Sequence, residues 1–299
     1  MTGTCFGYSV VSSLPFRYLR DGAGTPLEVV EAPDAGSDDP PIMEWRENVD
    51  MPFHARLHRD GRRYKMWIHD TGWYCIDPDE SRMTVPPSAQ TVLREERLWG
   101  IPALLCLGAR GDVGLHGAAV EIGGGAVVIA APGRFGKTTL AGAFLQRGYR
   151  VLAEDIACCR PGDPPVLFPG PAMLRMRRDA YERLRFPGVP VVADEPHRVH
   201  LAIDPADRGS GDPLPLTDIF FLRPGSDGFD LSPVPVERAL PDLMALAFAL
   251  RTDEDRARSF SAVAALAGRV PLWNFVRPKE YDRLDEVVDR IAARVEAGR

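Results

Sequence analysis

The sequence predicts an α/β protein: a core built around a phosphate-binding loop, a small β-rich N-terminal domain before it, and a helical C-terminal part after it. Three observations carry this reading. The apolar run Ala126-Val-Val-Ile-Ala-Ala131 meets a Gly-rich loop and then the helix-like run Thr139–Gln146, which is the strand, loop and helix order that a phosphate-binding loop requires. Residues 1–88 hold short strand-like segments divided by turns rich in Gly, Asp and Pro. The last third of the chain carries long stretches of helical pattern.

Within the first 88 residues, Phe6–Val11 and Tyr64–His69 read as strands, and Asp60-Gly61 between Ala55–Arg59 and Arg62–Ile68 is a hairpin signal. Pro86-Pro87 closes this region, so the expected division is 1–88 and 89–299. A helical stretch follows from Ser88 to about Leu107. Val113–Ile122 reads as a strand whose turn, Gly123-Gly-Gly125, leads into the strand before the loop. Gly148 is the expected C-cap of the helix after the loop, and Arg150–Ala157 the next strand. Beyond residue 160 the chain reads as proline-rich and irregular until the buried strand Thr217–Leu222. Helices are expected over Glu237–Leu250, Asp253–Gly268 and Pro278–Ala297, with the strand-like Pro271–Val276 among them.

Composition narrows the function class. A 299-residue chain can bury a full core, and 45% hydrophobic with 26% charged residues is ordinary for a globular protein. The net charge of −6 speaks against a general binder of nucleic acid or acidic membranes. Five cysteines without C-x-x-C spacing suggest neither a disulfide framework nor a zinc site, which fits a reducing cytoplasm. There is no 18-residue apolar span and no signal-peptide pattern at the start of the sequence, so a soluble cytoplasmic protein without membrane partners is expected.

The loop residues Pro132, Gly133, Arg134, Phe135, Gly136, Lys137, Thr138 and Thr139 name a ligand. Small residues let successive amides turn inward as an anion nest, and the helix N-terminus adds partial positive charge. Gly136 lets the backbone approach a phosphate oxygen, Lys137 is placed to reach the β- and γ-phosphates, and the Thr138 hydroxyl to ligate Mg²⁺. Ala131 stands where the usual motif has its first glycine. The plain alternative, a Gly-rich turn with a chance Lys-Thr, is disfavoured by the strand and helix that flank it.

Two further features sit nearby in sequence. Glu154-Asp155 follows Lys137 by 17 residues, about one helix plus one strand, which returns the chain beside the loop. Phosphoryl transfer needs one carboxylate to hold Mg²⁺ and one to orient or deprotonate the attacking hydroxyl. Adjacent strand residues face opposite sides, but both can turn toward the cleft if the strand ends there. His116 lies on the strand before the loop strand, where a lone histidine by itself reads as structural or merely exposed.

Taken together, His116-Gly-Ala-Ala-Val-Glu-Ile122, the loop at 131–139, Gln146-Arg-Gly-Tyr-Arg-Val-Leu152 and Glu154-Asp155 resemble the catalytic domain of the HPr kinase/phosphorylase family. That family's fold is related to the phosphoenolpyruvate carboxykinases, so the resemblance implies an HPr-kinase/PEP-carboxykinase-like core. It also implies that His116 lies near the phosphates. The family's acidic pair is usually Asp-Asp, and the first member here is Glu154. The E-I-R-G-L-G signature of the bifunctional enzymes is missing. In its place, Phe168-Pro-Gly-Pro-Ala-Met-Leu-Arg-Met-Arg-Arg178 is similar to a segment of a divergent branch encoded among lasso-peptide and other peptide natural-product genes. That branch implies phosphorylation of a serine on a precursor peptide.

The arginines at 175–185 divide by position. Arg178, Arg183 and Arg185 read as a solvated helix face, with Asp179 pairing Arg183 at i,i+4. Arg175 and Arg177 alternate with Leu174 and Met176 and so share one face of an extended segment, and Arg175 is the candidate for stabilising the transferring phosphoryl group. The leading expectation is ATP- and Mg²⁺-dependent phosphorylation of a serine hydroxyl on a peptide or small protein, with Lys137, His116, Glu154, Asp155 and Arg175 as catalytic residues. Thr138, Glu154 and Asp155 are the metal candidates. No nucleic-acid partner is expected, and a homo-oligomer is left open. A kinase of free serine or another small alcohol, and a nucleotide-binding regulatory module without transfer activity, are the alternatives.

Overall fold

The structure, a computed structural model, describes residues 3–46, 53–203, 205–225 and 228–298. It is a mixed α/β protein. The N-terminal sheet holds β1 (Gly3–Cys5), β2 (Tyr8–Val11), β3 (Thr25–Glu31), β4 (Met43–Trp45), β5 (Ala55–Asp60), β6 (Arg63–Ile68), β7 (Gly72–Asp77) and β8 (Arg82–Val85), in the order β1-β2-β3-β8-β7-β6-β5-β4. Asp60 pairs Arg63 across the expected hairpin, and Gly61 in the turn has φ 61°. Helices α1 (Thr91–Leu98) and α2 (Ile101–Ala109) follow. Leu98, Trp99, Leu105 and Leu107 of this helical pair are buried with Leu57, Met66 and Ile76 of the sheet, so this core continues past residue 88.

The second sheet grows from the hairpin of β9 (Val113–Ile122) and β10 (Gly125–Ala130). After α3 (Lys137–Gln146) come the short β11 (Val151–Ala153), β12 (Ile156–Arg160) and β13 (Val166–Phe168). A three-stranded sheet is formed by β14 (Met173–Arg177), β15 (Val191–Asp194) and β16 (Arg198–Ala202), with α4 (Arg178–Leu184) between the first two and α5 (Pro205–Arg208) after the last. The remaining elements are β17 (Leu214–Pro224), β18 (Asp230–Pro233), α6 (Val236–Leu246), α7 (Asp253–Ala267), β19 (Leu272–Arg277) and α8 (Leu284–Ala297). β10 and β19 both run parallel to β17, while β10 pairs β9 antiparallel.

Burial on both faces explains the unbroken apolar run of β10. Val127 and Ile129 pack with Leu140, Phe144, Val288 and Ile291 of α3 and α8. Ala126, Val128 and Ala130 pack on the opposite side with Leu243 of α6 and Leu266 of α7. The split follows the two-residue period of a strand.

Three expectations need correction. Residues 160–217 are not irregular: they supply β13 to β16 and α4, with prolines in the turns between these strands, while Pro215 lies at the start of β17. The last helix starts at Leu284, not Pro278, after a 3₁₀ turn at Tyr281–Arg283. The reason is that the segment before it is held against the 131–136 loop, where Lys279 Nζ donates to Arg134 O at 2.7 Å. Asp179 does not pair Arg183; it accepts from Arg177 at 3.2 Å and from the Tyr281 hydroxyl at 3.1 Å.

Candidate active site

The loop after β10 is shaped by cations on its carbonyl oxygens. Lys137 Nζ donates to Ala131 O at 2.8 Å and Pro132 O at 3.0 Å. Arg277 Nη2 donates to Phe135 O at 2.9 Å, and Lys279 takes Arg134 O. A trans peptide directs its C=O and the next N–H to opposite sides, so this turns the loop amides away from those cations. Gly136 has φ 88°, which admits glycine readily, and a Cβ there would lie 2.7 Å from Arg277 Nη2. Helix α3 begins at Lys137 with Gly136 as N-cap, no side-chain cap and no acidic residue in its first turn. Its first N–H groups are thus free to meet an anion. Pro132, Gly133 and Arg134 are exposed, Phe135, Thr138 and Thr139 are half-buried, and Lys137 is buried. Burial pulls the Lys137 ammonium below its ordinary pKa, against the attraction of Asp155 and Glu154.

The acidic pair sits at the break between β11 and β12, as a strand end would allow. Because β12 runs antiparallel to β9 with Ile156 opposite His116, and Gly117 N donates to Asp155 O at 3.0 Å, His116 and Asp155 are brought side by side. His116 Nε2 lies 3.2 Å from Asp155 Oδ1. Burial pushes the Asp155 carboxyl up, but the His116 hydrogen bond and the charges of Arg175, His116 and Lys137 outweigh it and hold it well below the usual carboxylate range.

The two carboxylates differ sharply. Glu154 is buried, with Oε1 2.6 Å from Arg175 Nε and Oε2 accepting from Arg175 N at 2.9 Å. Asp155 keeps 41% of its side chain exposed and meets Arg175 Nη2 at 3.5 Å. Arg175 lies on β14, opposite His200 of β16. Burial would lower the Arg175 pKa, yet Glu154, Asp155 and Glu96 together raise it above its ordinary value. The structure therefore gathers Lys137, His116, Glu154, Asp155 and Arg175 from four segments.

Residues that sequence reasoning left out also surround the site. Arg277 and Lys279 brace the loop; the sign available was a basic residue at the C-terminal end of a strand parallel to the loop strand, where such sheets bind ligands. Glu96 of α1 accepts from the Tyr18 hydroxyl at 2.9 Å and meets His200 Nδ1 at 2.8 Å. Burial works against the His200 imidazolium, but Glu96 and Glu195 prevail over it and over Arg175, and its pKa is raised. No sequence signal connects Glu96 with His200 or Arg175, because three separate elements converge there.

No family model matches this chain, and no curated protein matches it. Among solved structures, that of the Hpr(Ser) kinase/phosphatase from Coxiella burnetii aligns with 62% of this chain and 95% of its own, at 9% identity and a TM-score of 0.32. No helix among the described residues is long and apolar enough to cross a membrane.

Proposed function

We propose that this protein is an ATP- and Mg²⁺-dependent kinase that phosphorylates a serine hydroxyl of a peptide or small protein, as in tailoring of a lasso-type precursor peptide. The observation that carries the reading is the convergence of Lys137 and the uncapped start of α3 with the His116–Asp155 pair, 3.2 Å apart, beside Arg175. Anion cradle, proton acceptor and guanidinium are the parts that phosphoryl transfer requires.

The residues fit the ligands unequally. The loop amides and Lys137 suit a polyphosphate chain. Among the described residues no three His, Cys, Asp or Glu side chains are grouped to cage a metal. Mg²⁺ needs no such cage, since one or two protein ligands plus phosphate oxygens and waters suffice. Thr138 is the side chain we assign to hold it, with phosphate oxygens and waters completing its shell, which leaves Asp155 for the proton. When bound, Mg²⁺ would neutralise charge developing on the phosphates.

In the reaction, the serine oxygen forms a bond to the γ-phosphorus while the bond from that phosphorus to the β,γ-bridging oxygen breaks, releasing ADP. The hydroxyl proton passes to Asp155, whose Oδ1 is oriented by His116. Glu154, with both oxygens held by Arg175, anchors the guanidinium rather than accepting a proton. Arg175 and Lys137 stabilise the transferring group.

The test is incubation with MgATP and serine peptides, scored by mass for the addition of HPO₃, with free serine in parallel to separate the small-molecule alternative. Lys137→Ala should reduce transfer by about 100-fold or more. Undiminished transfer in that variant would remove the loop from the mechanism.

A further inference from the structure

On the three-stranded sheet, Arg175 of β14 pairs His200 of β16, and Arg177 pairs Arg198. Directly paired residues of antiparallel strands point to the same face. That face therefore presents Arg175, Arg177, Arg198 and His200, while Leu174, Met176, Val199 and Leu201 enter the core on the other. Four basic groups in one patch call for anions, and the protein supplies them for three. Arg175 has Glu154 and Asp155, His200 has Glu96 and Glu195, and Arg177 has Asp179 in a surface pair. Arg198 is exposed and has no carboxylate or hydrogen-bond partner for its guanidinium among the described residues.

Its setting ties it to the acceptor side of the site. Neighbouring protein atoms strip part of its water, and its charge is felt by Arg175, Glu154 and Asp155, with Arg97 of α1 also near. Arg97 is itself occupied by Asp70. Arg198 stands diagonal to Arg175 across the strand pair, roughly 7–8 Å away by strand geometry. An extended chain advances roughly 3.3 Å per residue. We propose that Arg198, flanked by Arg177, is a subsite for a carboxylate carried by the acceptor within about two residues of the hydroxyl that is phosphorylated.

This rests on the kinase reading above and narrows its substrate to acidic acceptors. The carboxylate is either an Asp or Glu side chain or the C-terminal group of the peptide, and one guanidinium recognises both through charge-assisted hydrogen bonds.

The experiment measures equilibrium binding of short serine peptides to the ADP-loaded 299-residue chain. The peptides carry Asp or Asn beside the serine, each with a free or amidated C-terminus. Wild type should bind at least one carboxylate form about tenfold or more tighter than its Asn or amide counterpart. The arm that shows the preference identifies the source of the carboxylate. Arg198→Ala should abolish it, and Arg198→Lys, which keeps the charge, should restore much of it. Absence of any preference, or a preference that survives Arg198→Ala, overturns the subsite. MgATP turnover with the same peptides separates the two ideas: transfer that ignores the carboxylate leaves the kinase and removes the subsite, whereas absence of Lys137-dependent nucleotide binding removes the kinase reading itself.

Discussion

Arg175 and Glu154 are fastened to each other at two points, one through the guanidinium Nε at 2.6 Å and one through the backbone N–H at 2.9 Å. Both carboxylate oxygens of a buried glutamate are thereby satisfied. Arg175→Ala would leave that charge buried and unpaired, at a cost of about 3–5 kcal/mol. Replacing both residues by methionine should cost much less, because the stranded charge disappears with its partner. Urea unfolding of the single and double variants measures the difference, and equal losses would show that Glu154 is not held by Arg175 in solution.

Gly136 is constrained twice, by φ 88° and by Arg277 Nη2, 2.7 Å from where a Cβ would stand. Gly136→Ala should destabilise by about 1–2 kcal/mol from the left-handed backbone alone, with the displaced Arg277 adding to it. In an Arg277→Ala background the added part should vanish while the backbone part remains. A double-mutant cycle on unfolding free energy reads this directly, and simple additivity would mean that the two side chains do not meet.

The order of strand, loop and helix around Lys137, and the β9–β10 hairpin before it, were legible because glycines and apolar runs are local signals. The break at Glu154-Asp155 was legible as a condition: if the strand ended there, both carboxylates could turn inward. Division of labour between them was not, since it depends on Arg175, which arrives on a strand from a segment that read as irregular. Proline spacing hid β13 to β16, whose pairing is set by partners far along the chain. Arg277 and Lys279 escaped notice for the same reason, their target being the loop some 140 residues earlier.

Asp155 gives stability a definite dependence on acid. Its folded pKa is depressed, so its contribution is present above the ordinary aspartate value of about 3.9 and is lost as pH falls through the folded pKa. Wild type should lose stability below about pH 4 more steeply than Asp155→Asn. Thermal unfolding from pH 6 to pH 3 compares them, and coincident slopes would contradict the hold that His116 and Arg175 have on Asp155.

His200 has the opposite sign. Its folded pKa is raised, so its stabilisation is full below about 6.5 and is lost as pH rises through the folded value. Tyr18, Glu96, Glu195 and Arg175 are the groups that face it. Relative to His200→Gln, wild type should become less stable between about pH 6.5 and 8.5. Parallel urea midpoints across that range would rule out a protonated His200 bridging the two glutamates.

Arg20 shows what a trimmed version of this protein would forfeit. It is buried, and its guanidinium donates to the carbonyl oxygens of Gly170, Val151 and Leu152 at 2.8, 2.8 and 3.4 Å, and to Arg208 O. Val151 and Leu152 form the strand that delivers Glu154 and Asp155. An expression boundary placed after residue 20 would orphan those acceptors at the foot of the acidic pair. A boundary at residue 88 would also discard Tyr18, whose hydroxyl steadies Glu96. The segment that carries Tyr18 and Arg20 is foundation rather than tail.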